Sequence, residues 1–320
     1  MSAPAIHASG LTKTFVRRER RTRLARRKVE VRAVEDLTFD VPAGQLIGYL
    51  GPNGAGKSTT IKMLTGILQP TSGSVRVAGL VPLEDRKALA RRIGVVFGQR
   101  SALWWDLPLG ESFQLLRLVY GVEAARHRAN LDWCTELLDL GPLLPVPVRQ
   151  LSLGQRMRGE LVAALLHDPE VVFLDEPTIG LDVVSKHAVR GALARLNRER
   201  GVTVVLTTHD LSDVEELCQR ILIVDRGRAI YDGTVDDLKK RYGDDRVLVV
   251  DLHNVRPPLE IPGLVCTRVD GPRQWLQFAR TELTASEALA RVNDVTAVRD
   301  LTLEEPVVEH IVRRIYLGEV

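Results

Sequence analysis

The sequence predicts an α/β fold, in which a parallel-sheet core carries an antiparallel β subdomain and a helical insert and is followed by a small C-terminal α+β domain. Three observations lead there. A glycine-rich loop from Gly51 to Thr59 lies between the strand-like QLIGYL and the helix-like TIKMLTGIL. Two short β-branched apolar runs, EVVFLDEP and VTVVLTTHD, stand on either side of a helical stretch and read as buried parallel strands. From about residue 235 the pattern changes to RVLVVDL, LVCTRVD and QWLQFAR, followed by helix-like segments.

Taken in order, the chain opens with the strand-like IHASGLTKTFV and a basic run, then VEVRAVEDLTFDVPAGQLIGYL, whose alternation and Pro-Ala-Gly turn suggest antiparallel strands leading into a buried one. After the glycine-rich loop, Ile61, Leu64 and Leu68 keep helical spacing, and Gly66 and Pro70 suit a helix stop. Residues from about 100 to 165 read as mostly helical, with SFQLLRLVYG and ANLDWCTELLDL as amphipathic pieces. Met157, Leu161, Ala164 and Leu165 share one face of the helix that opens near Gln155. Beyond residue 235, Thr284 and Glu287 have the spacing of a capping box. The expected domains are 1–235, with the helical insert at about 100–165, and 236–320.

Composition sets the bounds. At 320 residues the chain is longer than one ordinary domain, and 45% apolar with 27% charged residues is typical of a globular protein. The net charge of +3 conceals a local run, Arg17 to Lys28, with eight Lys or Arg against the single Glu19. That run reads as an exposed loop of charges; its functional alternative is contact with anionic lipid headgroups, each basic side chain near the surface contributing about 1 kcal/mol. Without an aromatic for base stacking it is not expected to bind nucleic acid. Cys134, Cys218 and Cys266 are too far apart for a disulfide framework or a thiolate metal site, which fits a reducing cytosol. No segment approaches the ~20 apolar residues of a membrane span and MSAPAIHASG lacks the order of a signal peptide, so a membrane role is expected to come through a partner.

The segment GPNGAGKST matches G-x-x-x-x-G-K-[ST] between a strand and a helix, the context the motif requires. Its residues Gly51, Pro52, Asn53, Gly54, Ala55, Gly56, Lys57, Ser58 and Thr59 form a loop whose backbone N–H groups, with a helix N-terminus behind them, face a polyphosphate. Lys57 is expected to reach the β and γ phosphates and Ser58 to bind Mg²⁺. The core is thus a P-loop NTPase core. Asp175 ends an apolar strand and suits a water-mediated Mg²⁺ contact. Glu176, one residue on, is placed to polarise the water that attacks the γ-phosphate. His209 ends the next strand at the carboxyl edge, where its imidazole is expected to hydrogen-bond the γ-phosphate.

These residues resemble the ATP-binding cassette (ABC) ATPase family over roughly residues 5 to 235. Phe15, GPNGAGKST, Gln99 in VVFGQ, LSLGQ, VVFLDEP, Gly180 to Asp182 and TTHD stand in the family's order. The resemblance implies a head-to-tail dimer with a second ABC ATPase subunit, identical or related. In it Ser152, Gly154 and Gln155 close over the γ-phosphate of ATP bound by the opposite phosphate loop. It further implies that Phe15 stacks on adenine, that Gln99 touches Mg²⁺ and the attacking water, and that Asp182 contacts the phosphate-loop region across the interface. Leu153 stands where the family usually has Gly, with its side chain expected to point away.

One phosphate loop, one signature and a compact insert without heptads resemble the nucleotide-binding subunit of a transporter, peripheral on the cytoplasmic face of the membrane and driving a separate integral-membrane permease. The alternative is a non-transport ATPase acting on ribosomes or nucleic acid. GQRSALWWDLPLGESFQLL lies where the family receives a permease helix, with Trp104 and Trp105 as groove residues or plain packing. The ending LTLEEPVVEHIVRRIY resembles ATPases of ABC-2-type exporters, and LSLGQRMR and FGQRSALWWDLP resemble a drug or viologen exporter branch.

Overall fold

A computed structural model describes residues 3–20, 26–97, 101–208, 210–243, 245–304 and 308–317. Gln99 and His209 lie outside the described residues, as do the side chains of the basic run. The chain divides into two compact units, Met1–Asp232 and Gly233–Val320.

In the first unit, β1 (Ile6–Arg20) and β2 (Arg26–Val41) pair antiparallel, and β4 (Ser72–Val77) joins the other side of β1. The basic run is therefore not simply a loop. The ladder continues through Arg17↔Val29 to Arg20↔Arg26, because once Phe15 and Val31 are in register the backbone can go on pairing into the charged residues. Between these strands the chain enters the core with β3 (Leu46–Leu50), the phosphate loop and α1 (Lys57–Leu64).

The remaining core elements are α2 (Arg86–Ala90), β5 (Ile93–Phe97), β6 (Val171–Asp175), α6 (Val183–Arg200), β7 (Thr203–Thr207), α7 (Leu211–Leu217), β8 (Arg220–Asp225) and β9 (Arg228–Thr234). The six-stranded sheet has the order β5-β6-β7-β3-β8-β9. Its first five strands run parallel, and every residue of β3 and β7 is buried, which is why both read as unbroken apolar runs. Arg226 and Gly227, both at positive φ, make the hairpin turn to β9. Phe173, Val205 and Leu222 of this sheet share one core with Ile6, Leu37 and Val77 of the antiparallel sheet and with Ile61 and Leu64 of α1.

The insert between β5 and β6 holds α3 (Leu109–Tyr120), α4 (Ala124–Leu138) and α5 (Leu153–Leu165). In the second unit α8 (Val235–Tyr242) precedes β10 (Asp245–Leu252), β11 (Val265–Asp270), β12 (Arg273–Ala279), α9 (Ala285–Val295), β13 (Val298–Glu304) and α10 (Val308–Leu317). Its antiparallel sheet, in the order β11-β12-β10-β13, buries Leu248, Val250, Leu276 and Phe278 against Ala288 and Val292 of α9. Thr284 and Glu287 form the capping box their spacing predicts: Glu287 N donates to Thr284 Oγ1 at 3.2 Å and Thr284 N to Glu287 Oε2 at 2.7 Å.

Candidate functional site

The phosphate loop curls because its glycines allow what a side chain would forbid. Gly56 has φ +100, and a Cβ there would meet the Ala33 carbonyl oxygen at 2.3 Å. Gly51 leaves no room either, since a Cβ would lie 2.6 Å from the Val224 carbonyl oxygen. Gly54, at φ +87, faces open space. Behind the loop, α1 is fixed to β3 by the Tyr49 hydroxyl, which lies 3.1 Å from Thr60 Oγ1 in the buried interior.

Lys57 is only 8% exposed and turns its ammonium back onto the loop, donating to the carbonyls of Gly51 at 2.6 Å and Pro52 at 3.2 Å. Burial holds its pKa below the usual lysine value, and the nearby Glu176 and Asp175 carboxylates act in the opposite direction. A buried cation held by carbonyls and close to two acids is matched to a polyphosphate.

The acids arrive from the neighbouring strands. Register pairs Asp175 with Thr207, and Thr207 with Tyr49, so β6, β7 and β3 end level at the carboxyl edge of the sheet. Asp175 accepts from Thr207 Oγ1 at 2.5 Å through Oδ1 and from Ser58 Oγ at 3.3 Å through Oδ2. Ser58 and Asp175 thus place two hard oxygen donors side by side, the donor set Mg²⁺ takes together with phosphate oxygens and water. Glu176 leaves the strand at φ +56, a left-handed conformation uncommon for a residue with a Cβ, while its N–H donates to the Thr207 carbonyl at 2.9 Å. The kink ends the strand at Asp175.

Thr207 escaped the sequence reading, since a β-branched residue ending a buried strand looks like packing. So did the network beyond it. Asp213 is fully buried and receives hydrogen bonds from Thr178 Oγ1 at 2.5 Å, Arg190 Nε at 2.6 Å and Thr208 Oγ1 at 3.3 Å. It ties the loops after β6 and β7 to α6 and α7.

The LSLGQ stretch forms the N-terminus of α5. Ser152 is the N-cap: Gln155 N donates to Ser152 Oγ at 3.2 Å and Ser152 N to Gln155 Oε1 at 2.9 Å, a complete capping box. The cap orients the first turn of a thirteen-residue helix, whose free N–H groups attract an anion. Leu153 is 42% exposed, yet its Cδ2 lies near Gly180, at 3.2 Å from where a Cβ would stand. Its side chain covers the GLD turn of the same chain. Asp182 caps α6, accepting from Ser185 N at 2.9 Å and Ser185 Oγ at 2.7 Å, bonds that hold its carboxyl below the usual carboxylate range.

Glu160, also on α5, is a second residue that the apolar periodicity hid. It is 7% exposed and accepts from Ser101 Oγ and from Ala102 N at 2.9 Å; burial raises its pKa, and these two bonds and the nearby Arg156 pull against that rise. A carboxylate three residues after Met157 and one before Leu161 was the available signal. Phe15 sits on β1, 41% exposed, with Lys13 Nζ 5.3 Å from its ring centroid. Trp104 and Trp105 are 40% and 52% exposed, and the Arg156 guanidinium lies 5.5 Å from the Trp105 ring.

A phosphate loop, a strand-terminal acid beside its serine and a kinked glutamate, all on one edge of a parallel sheet, define a nucleoside triphosphatase of the P-loop class. The ABC transporter family model matches residues 34–179. The daunorubicin resistance ATP-binding protein DrrA3 of Streptomyces coeruleorubidus is 36% identical over 285 residues, covering 88% of this chain and 90% of that protein. The linearmycin resistance ATP-binding protein LnrL of Bacillus subtilis (strain 168) is 32% identical over 271 residues, covering 85% and 79%. Among solved structures, an ATP-binding subunit of an ABC transporter superposes with TM-score 0.63 and 27% identity over 75% of this chain and 93% of that one. The cassette MJ0796, a dimer in a post-hydrolysis state with ADP and Pi, gives 0.61 and 25% over 72% and 98%. The chain belongs to the ABC transporter family and is an ATPase subunit of it.

Proposed function

We propose that this ATPase powers a separate membrane permease of the ABC-2 exporter kind, with drugs or other small amphipathic compounds as cargo. Two relatives that cover 88% and 85% of the chain are named resistance ATP-binding proteins, which supports export over a role on ribosomes or nucleic acid. The path for cargo is assigned to the partner permease, with the subunit working at the cytoplasmic face of the membrane; among the described residues no helix is long and apolar enough to cross a membrane. Trp104 and Trp105, exposed just after β5, supply the surface that receives a permease helix. Anionic lipid remains the second contact proposed for the basic hairpin.

ATP is held between two copies. On one, the phosphate loop and Lys57 take the phosphates, and Phe15 stacks on adenine. On the other, Ser152, Gly154 and Gln155 close from the opposite side, with Asp182 bridging back. Ser58, Asp175 and Gln99 would hold Mg²⁺, which supplies charge neutralisation of the phosphates when bound. Glu176 takes the proton from the attacking water and His209 hydrogen-bonds the γ-phosphate. The observation that carries this reading is the 3.3 Å contact of Ser58 with Asp175 beside a lysine whose ammonium lies within the field of Glu176 and Asp175.

Affinity capture of the subunit from detergent-solubilised membranes tests the transport assignment. Recovery of a polytopic membrane protein is expected; recovery of ribosomes or DNA in its place would overturn it.

A further inference from the structure

Glu160 faces a segment that is not part of its own helix. Its carboxylate accepts from the Ser101 hydroxyl and the Ala102 amide, which stand at the head of the stretch linking β5 to α3. The next residues are seated by the same turn of α5: a Cβ on Gly159 would meet Leu109 Cδ1 at 2.9 Å and Leu103 Cδ1 at 3.2 Å. Trp104 N, in turn, donates to Ser112 Oγ at 3.2 Å. One helical turn thus grips the stretch by an apolar half at Gly159 and a polar half at Glu160. Two turns earlier the same helix begins at Ser152.

The polar half is the part that packing alone does not require. Ser101 and Ala102 are themselves exposed, so water can take over their two donors when the carboxylate is replaced by an apolar side chain of similar volume, at little cost to stability. What a carboxylate adds is directional: it fixes the height of residues 101–102 on α5 and releases them if the geometry changes. We propose that Glu160 is a positioning residue for ATP hydrolysis, a clamp that makes the segment following β5 and the helix bearing Ser152, Gly154 and Gln155 move as one piece. Resting on the two-copy reading above, this links the site served by the sheet edge of one chain to the site that the same chain closes for its partner.

The test uses the full-length protein with Glu160→Met, Glu160→Gln and Ser101→Ala. For Glu160→Met the melting temperature and the affinity of the subunit for a fluorescent ATP analogue are expected to hold. Its kcat is expected to fall by about tenfold, the size of one charge-assisted hydrogen bond lost from the closed state. Glu160→Gln, which keeps an acceptor oxygen, is expected to recover most of that rate, and Ser101→Ala combined with Glu160→Met is expected to be no slower than Glu160→Met alone. Unchanged kcat in Glu160→Met overturns the proposal. So does a loss of rate that tracks a loss of melting temperature or nucleotide affinity, or a Gln variant as slow as the Met variant. ATP-dependent dimer formation by Glu176→Gln, followed by light scattering, judges the two-copy reading separately: if no dimer forms, that reading fails and the clamp stands or falls on the kcat series.

Discussion

Gly154 and Ser185 stand so close that a Cβ on the glycine would meet the serine Oγ at 2.3 Å and its Cβ at 2.9 Å. The LSLGQ turn is therefore braced, within its own chain, on the first turn of α6, where Ser185 also closes the cap with Asp182. Gly154→Ala is expected to lower stability by about 1–3 kcal/mol through overpacking, and Ser185→Gly in the same chain is expected to restore it. Thermal melting of the single and double variants checks this; an unchanged melting temperature in Gly154→Ala would show that the two turns are not in contact.

Glu176→Gln is expected to reduce turnover by about 10²–10⁴, the usual contribution of a positioned general base, while nucleotide binding persists. Steady-state phosphate release alongside nucleotide-binding titration separates the two quantities. Hydrolysis at the original rate would remove Glu176 from the reaction.

Lys57 is desolvated and, among the described residues, donates to the loop carbonyls of Gly51 and Pro52, so without nucleotide its charge costs the fold more than it contributes. Lys57→Met is expected to melt no lower than the parent protein without nucleotide, yet to lose the rise in melting temperature that ATP gives the parent, about 2.7 kcal/mol at a hundredfold excess over Kd. A variant that ATP stabilises as well as the parent would refute the assignment of Lys57 to the phosphates.

Leu153→Gly restores the residue common at this position in the family and removes the cover over Gly180. The side chain is 42% exposed, so the expected loss is below about 1 kcal/mol, with ATPase activity within about threefold of the parent. Loss of turnover in this variant would show that the leucine, rather than the backbone around it, serves the closed state.

Asp210 provides a pH-dependent test. Partial burial opposes its ionisation, but Lys186 Nζ at 2.6 Å and hydrogen bonds to Ser212 hold its pKa down to about 2, against 3.8 ordinarily. A depressed folded-state pKa means the stabilisation is complete above about pH 4 and is lost as the pH falls towards 2. The melting-temperature gap between the parent and Lys186→Met is expected to narrow over that window. A gap that stays constant would place the effect elsewhere than in the Asp210 charge.

By itself the sequence determined the phosphate loop, the acid pair, the capped helices and the parallel core. These are encoded locally: Gly51 to Ser58 form a contiguous motif, VVFLD and TVVLT are continuous buried strands, and Thr284 with Glu287 needs only three residues of spacing. Tertiary structure alone decided what depends on contacts between distant segments. Thr207 became a partner of Asp175 only when β6 and β7 lay side by side, Asp213 became the centre of a buried network only when α6 and α7 met, and Glu160 acquired its partners 58 and 59 positions away. Charge hides strand propensity in the basic stretch, whereas the backbone ladder needs no apolar side chain and carries β1 and β2 into it. Periodicity reports which face of a helix is buried; it says nothing about which polar group, brought from elsewhere, will meet a residue on that face.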